Sequence, residues 1–336
     1  MNLRWGLLAA GSIAAEFAEG IKASATGSLA AVAARSGERA AAFAERFGVP
    51  KSYGSYDELL ADPGIDVVYV STPHPLHAEW AIKAAEAGKH VLCEKPLTLT
   101  AAEAESVIEV ARRNDVFLME AYMYRIHPQI RLMTELIEAG ALGEIRAVDV
   151  TFSYDSGGAE AARLTDPALG GGGILDVGGY CTSVARLVSE AATGEKAVVP
   201  SEVKGMARLT PETGVDEFAM GLLRLPGDIV AQISCGFRLR QDDHIRVYGS
   251  EGQLYIANPP WLHNMREPGV SEIVVTPTGG DAEVLEVEAT QGLFAREADY
   301  VAAHIADRQA PGVTWAESLA NMRTLDLWRK AVRAQS

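Results

Sequence analysis

Cysteine is scarce in this 336-residue chain: Cys93, Cys181 and Cys235 are the only three. Their spacings match no zinc-ligand pattern. Cys93 falls in a strand-like segment and Cys181 in a helical one, where small buried thiols are expected. Basic runs are missing too. Lysine and arginine number 30 against 45 acidic residues, for a formal net charge of -15, which argues against nucleic acid and anionic membrane as partners. An acidic surface can still hold a local basic pocket for a phosphate. No apolar stretch is long enough to span a bilayer, and Met1-Asn2-Leu3-Arg4 leads straight into a strand-like segment with no cleavable signal. A cytoplasmic protein is therefore expected. Internal repeats, low-complexity tracts and heptad seams are also absent.

What is present is an ordinary soluble composition, 48% hydrophobic and 22% charged, in a chain long enough for two cores. Strand-like runs at 3–10, 28–34, 67–71, 90–93 and 116–119 alternate with helical stretches at 13–25, 38–47, 56–60, 78–87 and 101–114. That order predicts a doubly wound α/β unit, a parallel sheet with helices on both faces. After Gly143 the pattern becomes apolar-polar alternation at 145–154, 201–209, 217–225, 229–237, 243–249, 253–256 and 272–275. These runs predict an α+β unit with a large open mixed or antiparallel sheet. Helices are expected at 174–190, 294–307 and 315–333. The expected division is a dinucleotide-binding Rossmann domain over 1–122 and a substrate and oligomerisation domain over 123–336, with the closing helix, about 315–336, packing back on the first.

Four segments carry chemistry. The first turn, Gly6-Leu7-Leu8-Ala9-Ala10-Gly11-Ser12-Ile13-Ala14, keeps only the middle glycine of the dinucleotide fingerprint, the one that lets backbone approach a pyrophosphate at a helix N-terminus. A plain tight turn would also explain it. The second strand ends Ala33-Ala34-Arg35-Ser36, with Arg39 one turn on. An acidic residue expected there for NAD is absent, and a guanidinium and a hydroxyl suit a 2'-phosphate, so NADP is preferred and NAD disfavoured. A solvated arginine is the bland alternative.

The third segment is the proline-rich loop Ser71-Thr72-Pro73-His74-Pro75-Leu76-His77, expected to shape the cofactor's nicotinamide half, and it leads on to Glu94-Lys95-Pro96 at the end of a buried strand. The crevice of a doubly wound sheet opens there, which makes Lys95 a candidate for chemistry. The fourth is Gly170-Gly171-Gly172-Gly173 followed by Asp176 and Tyr180, four apart and so on one helix face. The glycines leave room for a ligand at the helix entrance. Taken singly, Asp176 could be a helix-dipole partner and Tyr180 a core residue.

Glu94-Lys95-Pro96, the 72–77 loop, Glu120-Ala121-Tyr122-Met123-Tyr124-Arg125-Ile126-His127-Pro128-Gln129 and the Asp176…Tyr180 helix together resemble the glucose-fructose oxidoreductase, inositol dehydrogenase and rhizopine-catabolism family (GFO/IDH/MocA). The similarity runs through nearly the whole chain. It is greatest to the branch of NADP-linked aldose (xylose) dehydrogenases and dimeric dihydrodiol dehydrogenases, which carries tyrosine where inositol dehydrogenases carry histidine. Ala9 in place of the usual first glycine, and Ala34 in place of the acidic ribose ligand, depart from the family pattern.

The resemblance implies an NADP-dependent dehydrogenase or reductase acting on CH–OH groups of a cyclic sugar or vicinal diol. Lys95 and Tyr180 would meet at the nicotinamide, Tyr180 as acid-base group with its pKa lowered by the Lys95 ammonium. Asp176 would orient a neighbouring hydroxyl, with Tyr124, Arg125 and Arg163 as further substrate contacts. Gly11, Ser12, Ile13, Ala34, Arg35, Ser36, Arg39, Ser71, Thr72, Pro73, His74, His77, Glu94 and Lys95 would form the cofactor wall. No metal is called for, because the cofactor carries the redox chemistry. A homodimer or dimer of dimers is expected. Two alternatives stay open: a keto-sugar or anhydrosugar reductase, and a non-catalytic regulator that senses the dinucleotide.

Overall fold

A computed structural model describes residues 2–157, 162–257, 259–260 and 267–334; the last two residues of the closing helix expected to reach 336 lie outside them. Short, mostly apolar runs build the first sheet: β1 (Leu3–Leu8), β2 (Gly27–Ala33), β3 (Lys51–Tyr53), β4 (Val67–Val70), β5 (His90–Cys93) and β6 (Leu118–Glu120). All pairings are parallel, in the order β3-β2-β1-β4-β5-β6. Strands such as Val67–Val70 are buried along their whole length, as expected of a sheet covered on both faces. The covering helices are α1 (Ser12–Gly20), α2 (Gly37–Phe47), α3 (Tyr56–Leu60), α4 (His77–Glu86) and α5 (Ala101–Arg113). The order reverses between β1 and β4, so the crevice outside their carboxyl ends is where a ligand binds in such folds. β3 was not expected: it is a three-residue edge strand with little apolar signal.

Beyond β6 come α6 (Pro128–Glu138), β7 (Ile145–Ser153), the short α7 (Ala162–Thr165) and α8 (Gly179–Thr193). The second sheet is completed by β8 (Glu202–Leu209), β9 (Asp216–Leu225), β10 (Ile229–Gly236), β11 (His244–Gly249), β12 (Gly252–Ile256), β13 (Gly269–Pro277) and β14 (Glu283–Ala289). Among the described residues its order is β14-β13-β12-β11-β7-β10-β9-β8. β7 and β10 pair in parallel and the other neighbours antiparallel, so the sheet is mixed. β14 was not expected, because an edge strand with Glu283, Glu286 and Glu288 shows only weak alternation.

One face of this sheet packs against α8. The other leaves Met206 71% exposed, directly opposite Met220 in the β8–β9 register, with Leu222 beside them also exposed. α9 (Leu293–His304) lies on α1, and α10 (Trp315–Arg333) bridges α5 of the first layer and β8 of the second. No helix among the described residues is long and apolar enough to cross a membrane.

Candidate active site

The carboxyl ends of β1, β2, β4 and β5 open into a cleft of about 700 Å³, closed on its far side by α7 and the entrance to α8. Gly11 caps α1 at its N-terminus, and a Cβ there would meet nothing within 4 Å, so its backbone faces open space. Ala9 holds φ 93°, the left-handed region, while donating its N–H to Ala33 at 3.0 Å. The turn thus keeps a glycine-type conformation without the glycine. Ala34, Arg35, Ser36 and Arg39 line the β2 end, and Ser36 also caps α2 by accepting from the Arg39 N–H. On the other side stand Ser71, Thr72, Pro73, His74, His77, Glu94 and Lys95.

His77 holds this wall together. Its two ring nitrogens lie 2.8 Å from the carbonyls of Pro96 and Thr72, which ties the 72–77 loop to the Lys95-Pro96 segment. Burial, with His77 and Lys95 near, pushes His74 down to about 3, so it is neutral at working pH. Thr72 Oγ1 is buried with no partner among the described residues.

Lys95, Asp176 and Tyr180 meet in the same cleft. Lys95 Nζ donates to the main-chain carbonyl of Asp176 at 3.1 Å and lies 5.2 Å from the Tyr180 ring centroid. Asp176 accepts from Arg163 Nη1 at 2.7 Å and from the Tyr154 hydroxyl at 2.5 Å. Burial works to raise its pKa, but Arg163 and Lys95 prevail and hold it below the usual carboxylate range. The Tyr180 ring is enclosed by Tyr122, Tyr124 and Phe152, with centroids 5.2 to 5.6 Å away.

Tyr180 departs from expectation in its protonation. Burial, and the carboxyls of Glu94, Glu297 and Asp176, push it well above the ordinary phenol value. The ammonium of Lys95 sits over the ring, 5.2 Å from its centroid, and the desolvation outweighs it. In this cleft Tyr180 is a neutral phenol.

Other readings also need correction. Tyr124 is buried and donates to Ser183 at 2.6 Å, and Arg125 is ion-paired with Glu317 and lines a separate cavity behind α8. Neither lines the cleft, although Met123 of the same 3₁₀ turn does. The four glycines do not clear space for a ligand either. A Cβ on Gly171 would strike the Leu164 carbonyl, and one on Gly172 would come within 2.2 Å of Asp216 Oδ1, so the glycines serve packing within the protein. The expected helix at 174–190 begins as one π turn, Ile174–Gly178, before α8. Tyr154, Glu16, Tyr56 and Met123 were missed. Glu16, Tyr56 and Met123 line the cleft, and Tyr154 is the residue just after β7 that holds Asp176. A tyrosine at a strand end was the only available signal for Tyr154.

The chain matches two family models: an oxidoreductase family with an NAD-binding Rossmann fold over residues 3–122, and the GFO/IDH/MocA C-terminal domain over 130–255. It is 36% identical over 298 residues to D-xylose 1-dehydrogenase (NADP(+)) 2 of Haloferax volcanii, covering 88% of this chain and 87% of that one. It is 36% identical over 258 residues to the trans-1,2-dihydrobenzene-1,2-diol dehydrogenase of Mus musculus, covering 76% and 75%. Among solved structures, a 3-ketoreductase from Actinomadura kijaniata in complex with NADP and TDP-benzene superposes with TM-score 0.87 at 28% identity, covering 98% of both chains. An aldose-aldose oxidoreductase from Caulobacter crescentus, complexed with glycerol, gives TM-score 0.86 at 26% identity over 100% of this chain and 99% of that one.

Proposed function

This chain belongs to the GFO/IDH/MocA family of oxidoreductases, and on that premise we propose that it transfers hydride between NADP and a hydroxyl- or carbonyl-bearing carbon of a cyclic sugar or vicinal diol. The observation that carries the reading is the convergence of Lys95, Asp176 and Tyr180 on one cleft whose other end is an open helix N-terminus followed by Arg35 and Arg39. The relatives named for NADP, xylose and a dihydrodiol support the same choice.

The residues present fit a dinucleotide. The open space at Gly11 and the unpartnered Thr72 hydroxyl are features a bound cofactor would use. Gly11, Ser12 and Ile13 would hold the pyrophosphate, and Arg35, Ser36 and Arg39 the 2'-phosphate beside Ala34. Ser71, Thr72, Pro73, His74, His77, Glu94 and Lys95 would hold the nicotinamide half. When bound, NADP supplies the hydride acceptor or donor. We read 1–122 as the cofactor domain and 123–336 as the substrate and oligomer domain.

The chain's own residues supply the proton and the orientation. Tyr180 moves a proton at its phenolic oxygen, and Lys95 places a positive charge beside the substrate oxygen as charge develops there. Asp176, fixed by Arg163 and Tyr154, has lone pairs left to accept from one substrate hydroxyl. A keto-sugar substrate is the second reading, supported by the likeness to a 3-ketoreductase in complex with NADP.

The test is an absorbance screen at 340 nm, with NADP and NAD in both redox states, against aldoses, inositols, trans-dihydrodiols and keto-sugars. Turnover with a member of these classes is expected. Tight dinucleotide binding without turnover on any of them would replace the enzyme with a dinucleotide sensor.

A further inference from the structure

Lys95 follows β5 of the first sheet while the Asp176–Tyr180 turn is helical and packs on the second, and each segment is gripped by a carboxyl group that does not line the cleft. Leu97, two residues after Lys95, donates its main-chain N–H to Glu120 Oε1 at 2.8 Å. Ile174, two residues before Asp176, donates to Asp216 Oδ2 at 2.6 Å. Glu120 ends β6 and is 2% exposed, with its second oxygen unpartnered among the described residues. Asp216 opens β9 and fills the space left by Gly172, where a side chain would collide with it. The gripped segments, 95–97 and 172–176, are loop and π turn, so regular secondary structure does little to fix them.

We propose that Glu120 and Asp216 are positioning residues, one clamp on each sheet, that together set the separation between Lys95 and the Asp176–Tyr180 turn. This rests on the reading of the cleft given above for what the positioning serves. Neither residue touches substrate or cofactor in this account.

The clamps respond to pH with a defined sign. Burial pushes Glu120 up to about 7 and Asp216 up to about 6. Ser318 on α10 and the Leu97 N–H oppose this at Glu120, with Arg186 on α8 and Arg125 farther off and Cys93 alongside. The Ile174 N–H opposes it at Asp216, with Arg329 and Arg333 on α10 and Cys235 on β10. Burial alone makes global stability fall as pH rises through these values, because the native state favours the neutral acids. The clamping bonds have the opposite sign: each N–H lowers the pKa of its acid, so by linkage it binds the carboxylate more tightly than the carboxyl. Local order at the two segments should therefore rise with pH while these two acids pull global stability down. A merely structural role would move both in the same direction.

Hydrogen exchange on the full chain between pH 5.5 and 8, corrected for the intrinsic pH dependence of exchange, tests this without any substrate. Protection of peptides spanning 95–99 and 172–177 should increase several-fold with pH in the unmodified protein. Glu120→Gln should abolish that increase in the first segment only, and Asp216→Asn in the second only, with circular dichroism melts confirming that both near-isosteric variants fold. Protection independent of pH in the unmodified protein overturns the proposal, as does loss of the increase in both segments from either single change. If the absorbance screen fails while these patterns hold, the functional reading falls and the clamps stand; the converse result separates them the other way.

Discussion

Lys95 Nζ donates to the main-chain carbonyl of Asp176 at 3.1 Å, joining the end of β5 to a turn carried by the second sheet. The bond fixes where the positive charge sits: over the face of Tyr180, 5.2 Å from its ring centroid. It also leaves Asp176's carboxylate to Arg163 and Tyr154. Lys95 thus ties the two halves of the cleft together as well as supplying charge to it.

Tyr180→Phe should lower turnover by about 10²- to 10⁴-fold, the span for losing a general acid or base, with dinucleotide binding close to normal by calorimetry. Because burial and the nearby carboxyls hold the phenol protonated, reduction should be flat with pH through neutrality. Oxidation, which needs the phenolate, should keep climbing through pH 10. Substantial activity in the phenylalanine variant, or an oxidation rate that levels off near pH 7, would remove Tyr180 from this role.

Arg35 stands exposed at the cleft end of β2, beside Ala34, which takes the place of an acidic ribose ligand. A charge-assisted phosphate contact contributes about 1.5 to 3 kcal/mol, so Arg35→Ala should weaken NADP binding roughly tenfold or more while leaving NAD binding unchanged. Fluorescence titration of both cofactors checks this, and equal losses for the two would contradict it.

Ala9 keeps φ 93°, a conformation that costs an L-residue about 1 to 2 kcal/mol. Ala9→Gly relieves that strain and loses part of the gain, about 0.5 to 1 kcal/mol, to the greater freedom of glycine in the unfolded chain. The midpoint of thermal unfolding should rise by a few degrees. A lower midpoint would mean that the methyl group contributes more than the strain costs.

Met206 and Met220 face each other on the uncovered side of the second sheet, 71% and 46% exposed, near Leu222 at 48%. An apolar face of this kind marks an interface, and a symmetric dimer is the commonest way to cover it. Light scattering should show a dimer or a dimer of dimers at micromolar concentration, and Met206→Glu with Met220→Glu should dissociate it. A monomeric unmodified protein would end this reading.

Much of the cleft lining was legible because a doubly wound sheet opens its crevice at strand ends, and strand ends are marked locally by apolar runs that stop. Gly11, Arg35, Thr72 and Lys95 were found in that way. Tyr124 and Arg125 were misplaced because a 3₁₀ turn spanning 123–126 decides which way each points, and sequence spacing does not carry that phase. Tyr154 escaped because its partner Asp176 lies 22 residues away. The run of glycines was legible as a close approach, but what approaches is Leu164 and Asp216 of the chain itself.

The sequence by itself determined the order of strands and helices, the change from a parallel to a mixed sheet after Gly143, and the chemical types at the ends of β1, β2, β4 and β5. Only the tertiary structure decided which of those groups meet across the two sheets and in what charge state they do so. Lys95 reaching Asp176, Arg163 and Tyr154 closing on its carboxylate, and Tyr180 remaining a neutral phenol all depend on through-space distance and desolvation. Both are set by residues tens to hundreds of positions apart, and neither leaves a local pattern to read.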